Sequence, residues 1–419
     1  MLKKIKIPKD FLQVYFFNML AKAIQFLISL LIIRCAVSVE EYALYTKYYT
    51  LVATLTGVIG ESLSLTYIRY NTEKLSRDPT DKKDAMLLLI SAINAGVFAV
   101  ATIGCMLWQA FAGGAPYLLY SCVTGFLFST IVLLTSFFRS REKYIYSGLI
   151  EISRYVFVGI ILLAVYLFGS FLFTNIAYAY IAGSFCAIIV GFIICYVYAK
   201  KNLVTVIFSK SNLNLLFSVS IWMLLYNALM QLFNQMDVWM LDRYGTAYDV
   251  ACYGVAYKYY SIIAGFMPAI KTILRVRMSK AEKVDSLERQ QEFAKKWMKS
   301  FIIPSIAIAV LGGIGGKILF PILNGDAYAA SVPTFFVLCI CAALTYLFAP
   351  STSLIMSMSK YKTQFIFAVV AFIVNIIGNY FFIPMFGSTG AAITTTISHL
   401  VFNGSLMFVV FATKPSETT

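Results

Sequence analysis

Residues 46–53 read TKYYTLVA, and residues 257–264 read YKYYSIIA. Both contain a Lys-Tyr-Tyr triplet, and each opens an apolar stretch long enough to cross a bilayer. The segment preceding each carries a matching polar stripe: Asn18, Lys22 and Gln25 in the first, Asn227, Gln231 and Asn234 in the second. The spacing is i, i+4, i+7 in both, which places three side chains on one helical face. Each residue of the first stripe stands 209 positions before its counterpart, and Arg34 and Arg243 keep the same offset. Two tandem halves, each setting a polar face in hydrocarbon, are the mark of a membrane protein built from a parallel repeat.

Beyond these stretches, the rest of the chain is of the same kind. Of its 419 residues, 60% are hydrophobic and 13% charged, well outside the range of soluble domains. A membrane span needs about 20 apolar residues. On that measure twelve spans are expected, near 11–35, 42–67, 85–110, 115–137, 145–168, 172–198, 213–241, 247–271, 299–323, 328–357, 363–384 and 388–412. The class is all-α and polytopic. Residues 1–198 form an N-lobe, 199–212 a linker in the cytoplasmic interface, and 213–419 a C-lobe. Lys200 and Lys201 followed by Leu203, Val204, Val206, Ile207 and Phe208 suit a short interfacial helix in that linker.

The net charge of +15 does not point to nucleic acid. Most of the Lys and Arg fall in loops on the side that holds both termini, including Lys3, Lys4, Lys6 and Lys9 and the stretch 271–299. The positive-inside rule places that side in the cytoplasm, and the excess serves topology and attraction to anionic headgroups. The basic amino terminus resembles a signal peptide, but its apolar run is too long and lacks a small-residue cleavage site. The eight Cys show no C-x-x-C and there is one His, so neither a metal site nor any other cofactor is expected. No outer loop has room for a catalytic domain, which argues against an enzyme.

Ions at membrane depth cost at least about 2.5–3.5 kcal/mol each and are candidates for function. Lys22 lies at mid-depth of the first span, Lys47 and Lys258 in the outer thirds of spans two and eight, and Arg154 in the inner half of span five, with Glu151 one turn below. Lys47, Thr50, Thr54 and Glu61 read as one helical face. Each has a plainer alternative. Lys47 and Lys258 can snorkel outward. Glu151 and Arg154 can neutralise each other. Glu61 has no cation within a turn of its own helix, so it either pairs across, for instance to Arg154, or titrates during transport. Tyr48, Tyr49, Tyr259 and Tyr260 suit an interface belt or sugar stacking equally. His399 is read as a packing residue. With Lys22, Lys47, Arg154 and Lys258 outnumbering Glu61 and Glu151, the expected cavity is cationic and selects anions. Asn18, Gln25, Asn227, Gln231 and Asn234 supply donors and acceptors for hydroxyls.

Three stretches resemble a known family: Leu31-Ile32-Ile33-Arg34 through Glu41-Tyr42-Ala43-Leu44-Tyr45; Asp237-Val238-Trp239-Met240-Leu241 followed by Tyr253-Gly254-Val255-Ala256-Tyr257-Lys258; and Asn375 to Asn379 with Ile383-Pro384-Met385-Phe386-Gly387-Ser388-Thr389-Gly390-Ala391-Ala392. They are similar to the Wzx-type polysaccharide repeat-unit flippases of the multidrug/oligosaccharidyl-lipid/polysaccharide (MOP) exporter superfamily. The resemblance implies twelve helices in two six-helix, MATE-like lobes. It implies alternating access through a cationic cleft and a cargo of undecaprenyl-pyrophosphate-linked oligosaccharide for O-antigen, capsule or other surface polysaccharide. It further implies a bacterial inner-membrane location and, as partners, the lipid-linked cargo, membrane lipids, a polysaccharide polymerase and other assembly proteins. The alternatives are a multidrug/ion antiporter of the same superfamily, which would want a carboxylate where Lys22 stands, and a membrane glycan polymerase or ligase.

Overall fold

The computed structural model describes residues 9–78, 82–113, 117–207, 221–267, 287–358 and 360–413, with Ala115, Ile270 and Leu274 besides. The readings of Lys3, Lys4, Lys6 and Pro268, the linker end 208–212 and loop residues 275–286 lie outside the described residues. The chain divides into two compact units, Met1–Gln231 and Leu232–Thr419.

The first unit is built from α1 (Lys9–Cys35), α2 (Val39–Leu55), a π-helical turn (Thr56–Glu61), α3 (Ser62–Arg77), α4 (Leu87–Ala112), α5 (Tyr117–Arg139), α6 (Tyr144–Phe168) and α7 (Phe173–Asn202). Hydrocarbon offers backbone groups no partner, so spanning segments close their hydrogen bonds internally as helices. Helix starts are placed by local chemistry. Ser38 caps α2 by accepting from Glu41 N at 3.3 Å, and Asp84 Oδ1 receives Leu87 N, at the start of α4, at 3.1 Å. α5 is the most enclosed of the first-unit spans. Its Ile131, Phe137 and Phe138 pack with Tyr67, Met86, Ile90 and Ile150 in one apolar cluster.

Leu203 ends α7 in the left-handed conformation with φ 56°. The interfacial helix expected from Leu203 onward is therefore not what the described residues form. The β-branched pair Thr205–Val206 instead makes strand β2, parallel to β1 (Lys83–Asp84), with Lys83 opposite Thr205 and Asp84 opposite Val206.

α8 (Ile221–Tyr244) crosses the division of the chain, and its start as far as Gln231 belongs with the first unit. The second unit continues with α9 (Ala247–Ala264), α10 (Leu287–Asn324), α11 (Ser331–Leu347), α12 (Pro350–Ser357) and α13 (Tyr361–Ala412). A capping box of Thr246 and Asp249 starts α9. α13 contains two of the expected spans, broken at Gly387, where φ is 54° and ψ −133°. That left-handed φ favours glycine, and Asp249 Oδ1 receives the next amide, Ser388 N, at 3.2 Å.

Each of the twelve expected spans falls at least in part on described helix, with 116, 213–220, 268–269 and 271 outside the described residues, and eight described helices are long and apolar enough to cross a membrane. The chain is a multi-pass membrane protein.

Candidate functional site

A cavity of about 460 Å³ opens in the first unit. The π turn brings Thr56, Gly57 and Glu61 to its wall. α5 contributes Phe128, Thr135 and Arg139, α6 contributes Glu151, Arg154 and Tyr155, and the start of α8 contributes Asn227 and Gln231. A π-helical turn inserts a residue into the i→i+4 ladder and re-aims the side chains beyond it, and such turns recur at functional sites. Here it breaks the single face read from Lys47 to Glu61. Thr50 and Thr54 are buried, with Thr54 Oγ1 donating to Thr50 O at 2.8 Å. Glu61 faces the cavity, whereas Lys47 is half-buried and does not line it.

The glycines of the turn admit close neighbours. A methyl group on Gly57 would stand 2.6 Å from Gln231 Cδ. One on Gly60 would stand 2.5 Å from Ser129 Oγ and 3.0 Å from its Cα. Gln231 Nε2 donates to Glu61 Oε2 at 2.9 Å, and Asn227 Nδ2 reaches Ser62 Oγ at 3.4 Å.

The charges pair differently from the sequence expectation. Glu151 accepts from Arg139 Nη2 at 2.9 Å rather than pairing with Arg154. Arg139 Nε in turn donates to Ser147 Oγ at 3.0 Å, which fixes the guanidinium at the end of α5. Arg154, one turn along α6, is 7% exposed and lies 4.2 Å from the centroid of Phe128 and 4.5 Å from that of Tyr155. Its Nη2 donates to Tyr155 Oη at 2.6 Å, while its buried Nε has no hydrogen-bond partner among the described residues. Aromatic faces stabilise a cation without neutralising it. Among the described residues neither Arg154 nor Glu61 has an oppositely charged group in ion-pair contact, so the cross-helix Glu61–Arg154 bridge is not formed. Two guanidiniums and two carboxylates line the cavity. Its lining is formally balanced.

Other expected site residues lie around this cavity or away from it. Gln25 Nε2 donates to the hydroxyl of Tyr49, itself a wall residue, at 2.7 Å. Asn18 is half-buried and Lys22 exposed on α1, and neither lines the cavity. Asn234 and Lys258 are half-buried in the second unit. Of the four tyrosines, Tyr48, Tyr259 and Tyr260 are buried in protein instead of facing a belt or a sugar. Tyr48 bonds Thr124 at 2.8 Å and Tyr259 bonds Asn324 at 2.9 Å. His399 packs on Phe233 with centroids 5.1 Å apart.

Sequence alone passed over Arg139, taken as a loop charge, and Asp237. The latter is 2% exposed in the second unit. Its carboxylate takes hydrogen bonds from Tyr253 and Thr395, and from the amides of Asn375 at 3.1 Å and Asn379 at 2.9 Å. Four donors from neighbouring helices offset the cost of burying that group. The i, i+4 pair Asn375/Asn379 was the available signal. Among the described residues no group of three or more His, Cys, Asp or Glu is placed to hold a metal ion.

The helical topology of this membrane protein is shared with solved structures. The lipid II flippase MurJ, in an inward closed conformation, is similar with a TM-score of 0.73 and 14% identity, over 97% of this chain and 88% of that one. The Vibrio cholerae MATE transporter VcmN is similar with a TM-score of 0.65 and 12% identity, over 96% of each chain. A MOP superfamily transporter from Pyrococcus furiosus gives 0.62 and 12%, over 96% of this chain and 95% of that one. The chain shares its fold with these three proteins. No curated protein matches the sequence. The chain belongs to the polysaccharide biosynthesis protein family, whose sequence profile matches residues 8–276.

Proposed function

We propose that this chain is a flippase carrying undecaprenyl-pyrophosphate-linked oligosaccharide repeat units across the bacterial cytoplasmic membrane, with both termini in the cytoplasm and without catalysing a chemical step. The observation that carries the reading is Arg154. It is a buried guanidinium on the wall of a polar cavity, cradled by aromatic rings and without a carboxylate in contact. A cation kept at such a cost suits an anion that arrives and leaves. Pyrophosphate cannot cross hydrocarbon unaided, and a low-dielectric wall makes one well-placed charge worth several kcal/mol to it. Asn227 and Gln231 offer amides to sugar hydroxyls from the cavity wall, and Asn18 and Gln25 are proposed to add theirs from α1. Lys22, Lys47, Lys258 and Asn234 are proposed to meet the cargo at other stages of its passage, and Glu61 to couple transport to an ion.

Family membership supports the polysaccharide side of this reading, and the MurJ likeness supports a lipid-linked cargo. One observation favours the rival multidrug/ion antiporter: Glu61 and Glu151 match the two arginines in number, which leaves room for a cationic guest. Export of surface polysaccharide by a strain relying on variants of this chain separates the two. Arg154→Ala is expected to abolish export with normal membrane insertion, and Arg154→Lys to retain part of it. Unimpaired export by Arg154→Ala would remove the anion subsite.

A further inference from the structure

We propose that Cys105 and Cys122 form a redox site, oxidised to a disulfide by an external disulfide at the outer face of the membrane. This rests on the orientation proposed above, with both termini in the cytoplasm, and is independent of the cargo.

α4 and α5 pack along one seam, and the pair lies on it. Ser129 Oγ donates to Asn94 Oδ1 at 2.5 Å. Farther out, a methyl group on Gly125 would stand 3.0 Å from Phe98 Cε1, so the bare glycine gives that ring its room. Beyond this contact the sulfurs of Cys105 and Cys122 lie 3.5 Å apart. Both thiols are free. A disulfide spans about 2.05 Å, so each sulfur has only about 0.7 Å to move.

Depth places the pair close to the aqueous side. α4 ends at Ala112, after Cys105, and α5 begins at Tyr117, before Cys122. At about 1.5 Å per residue, the two cysteines lie roughly 7.5–10.5 Å from those helix ends. Trp108 is exposed about one turn above Cys105. Near the start of α5 the hydroxyl of Tyr120 meets that of Tyr178 at 3.2 Å. Trp and Tyr collect at the level of the headgroups, so the thiols sit just beneath them. With the amino terminus in the cytoplasm, α4 runs outward and this end faces the oxidising side of a bacterial cytoplasmic membrane.

Exposure orders the chemistry. Cys105 is half-buried and Cys122 is 2% exposed, so Cys105 meets the oxidant first. Its thiolate attacks one sulfur of the external disulfide, which releases one thiol and leaves a mixed disulfide on Cys105. Cys122, giving up its proton, then attacks Cys105 Sγ and releases the second thiol. Two electrons and two protons thus leave the protein and appear in the two released thiols. The product ties α4 to the helix that carries Phe128, Thr135 and Arg139 to the cavity wall.

The test counts free thiols in the full-length protein, reduced beforehand with dithiothreitol in its membrane. Spheroplasts and inside-out vesicles are treated with oxidised glutathione, which does not cross the bilayer. The protein is then unfolded, labelled with N-ethylmaleimide and weighed intact. Reduced wild type carries eight cysteines to label. From treated spheroplasts it should carry two fewer labels and no glutathione, and renewed reduction should restore them. Treated vesicles should lose none. Cys122→Ser should trap one glutathione, and Cys105→Ser should keep every remaining thiol. Full labelling of wild type from treated spheroplasts would overturn the site. Loss of two labels that persists in Cys105→Ser would assign the oxidation to other cysteines and overturn it as well. Oxidation of the pair in vesicles and not in spheroplasts would overturn the outer placement together with the orientation.

Discussion

Asp84 shows how much one side chain can hold at the membrane edge. It is 1% exposed and takes four hydrogen bonds. Its Oδ2 meets Arg141 at 2.8 Å and the hydroxyl of Tyr67 at 2.5 Å, and its Oδ1 receives the amides of Met86 at 3.3 Å and Leu87 at 3.1 Å. It also sits on β1, so the same residue joins the α5–α6 turn, α3, the start of α4 and the segment after α7. Removing one partner of a buried pair leaves the other charge uncompensated. Asp84→Ala should therefore lower stability by about 3–5 kcal/mol, read as a fall in the thermal unfolding midpoint in detergent. An unchanged midpoint would mean that Arg141 finds other acceptors. Residue-scale reading of the sequence named Glu61, Arg154, Asn227 and Gln231, which line this cavity. It failed on their pairing. Arg139 looked like a topology charge because only the α5–α6 turn brings it to Glu151, twelve positions on.

Among the elements, the π turn Thr56–Glu61 has the largest consequence for the site. Periodicity of 3.6 extrapolates smoothly from Lys47 to Glu61 and has no means of showing a local change of pitch. Gly57 and Gly60, three apart just before an acid, were the trace left in the sequence. Gly60→Ala would press a methyl onto the Ser129 backbone, 3.0 Å away at Cα, and disturb the 2.5 Å bond from Ser129 to Asn94. Overpacking of this kind costs about 1–3 kcal/mol. The variant should insert but unfold at lower temperature, and lose transport because Glu61 no longer faces the cavity. Gly57→Ala meets only the flexible end of Gln231 and should cost less stability while disrupting the Glu61–Gln231 bond. Equal loss of stability in both variants would argue against a packing role specific to Gly60. Strand β2 was missed for another reason. The Val204–Val206 run is apolar enough for a membrane-surface helix, and only its partner 122 positions earlier, β1, decides for a strand.

At the scale of the whole molecule, membrane class and helical architecture were legible because hydrocarbon leaves few solutions. Long apolar runs must be helices, and their number and spacing follow from length. What the runs enclose was not legible. The sequence sets both Lys22 and Arg154 at membrane depth, yet Arg154, packed against Phe128 and Tyr155, is on the cavity wall and Lys22 is off it. Counting deep cations likewise does not tell which charges share a wall, and this cavity sets two guanidiniums beside two carboxylates. Passage of a lipid-linked pyrophosphate glycan across the bilayer is the event on which the proposed function depends. It can be observed in proteoliposomes loaded with polyprenyl-pyrophosphate-linked oligosaccharide, with an added glycosidase that cannot cross the membrane. Wild-type protein should bring inner-leaflet cargo within reach of the enzyme, and Arg154→Ala should leave it protected as in protein-free vesicles. Inner-leaflet cargo that stays protected with wild-type protein, at every pH and with or without an imposed proton gradient, would contradict that function.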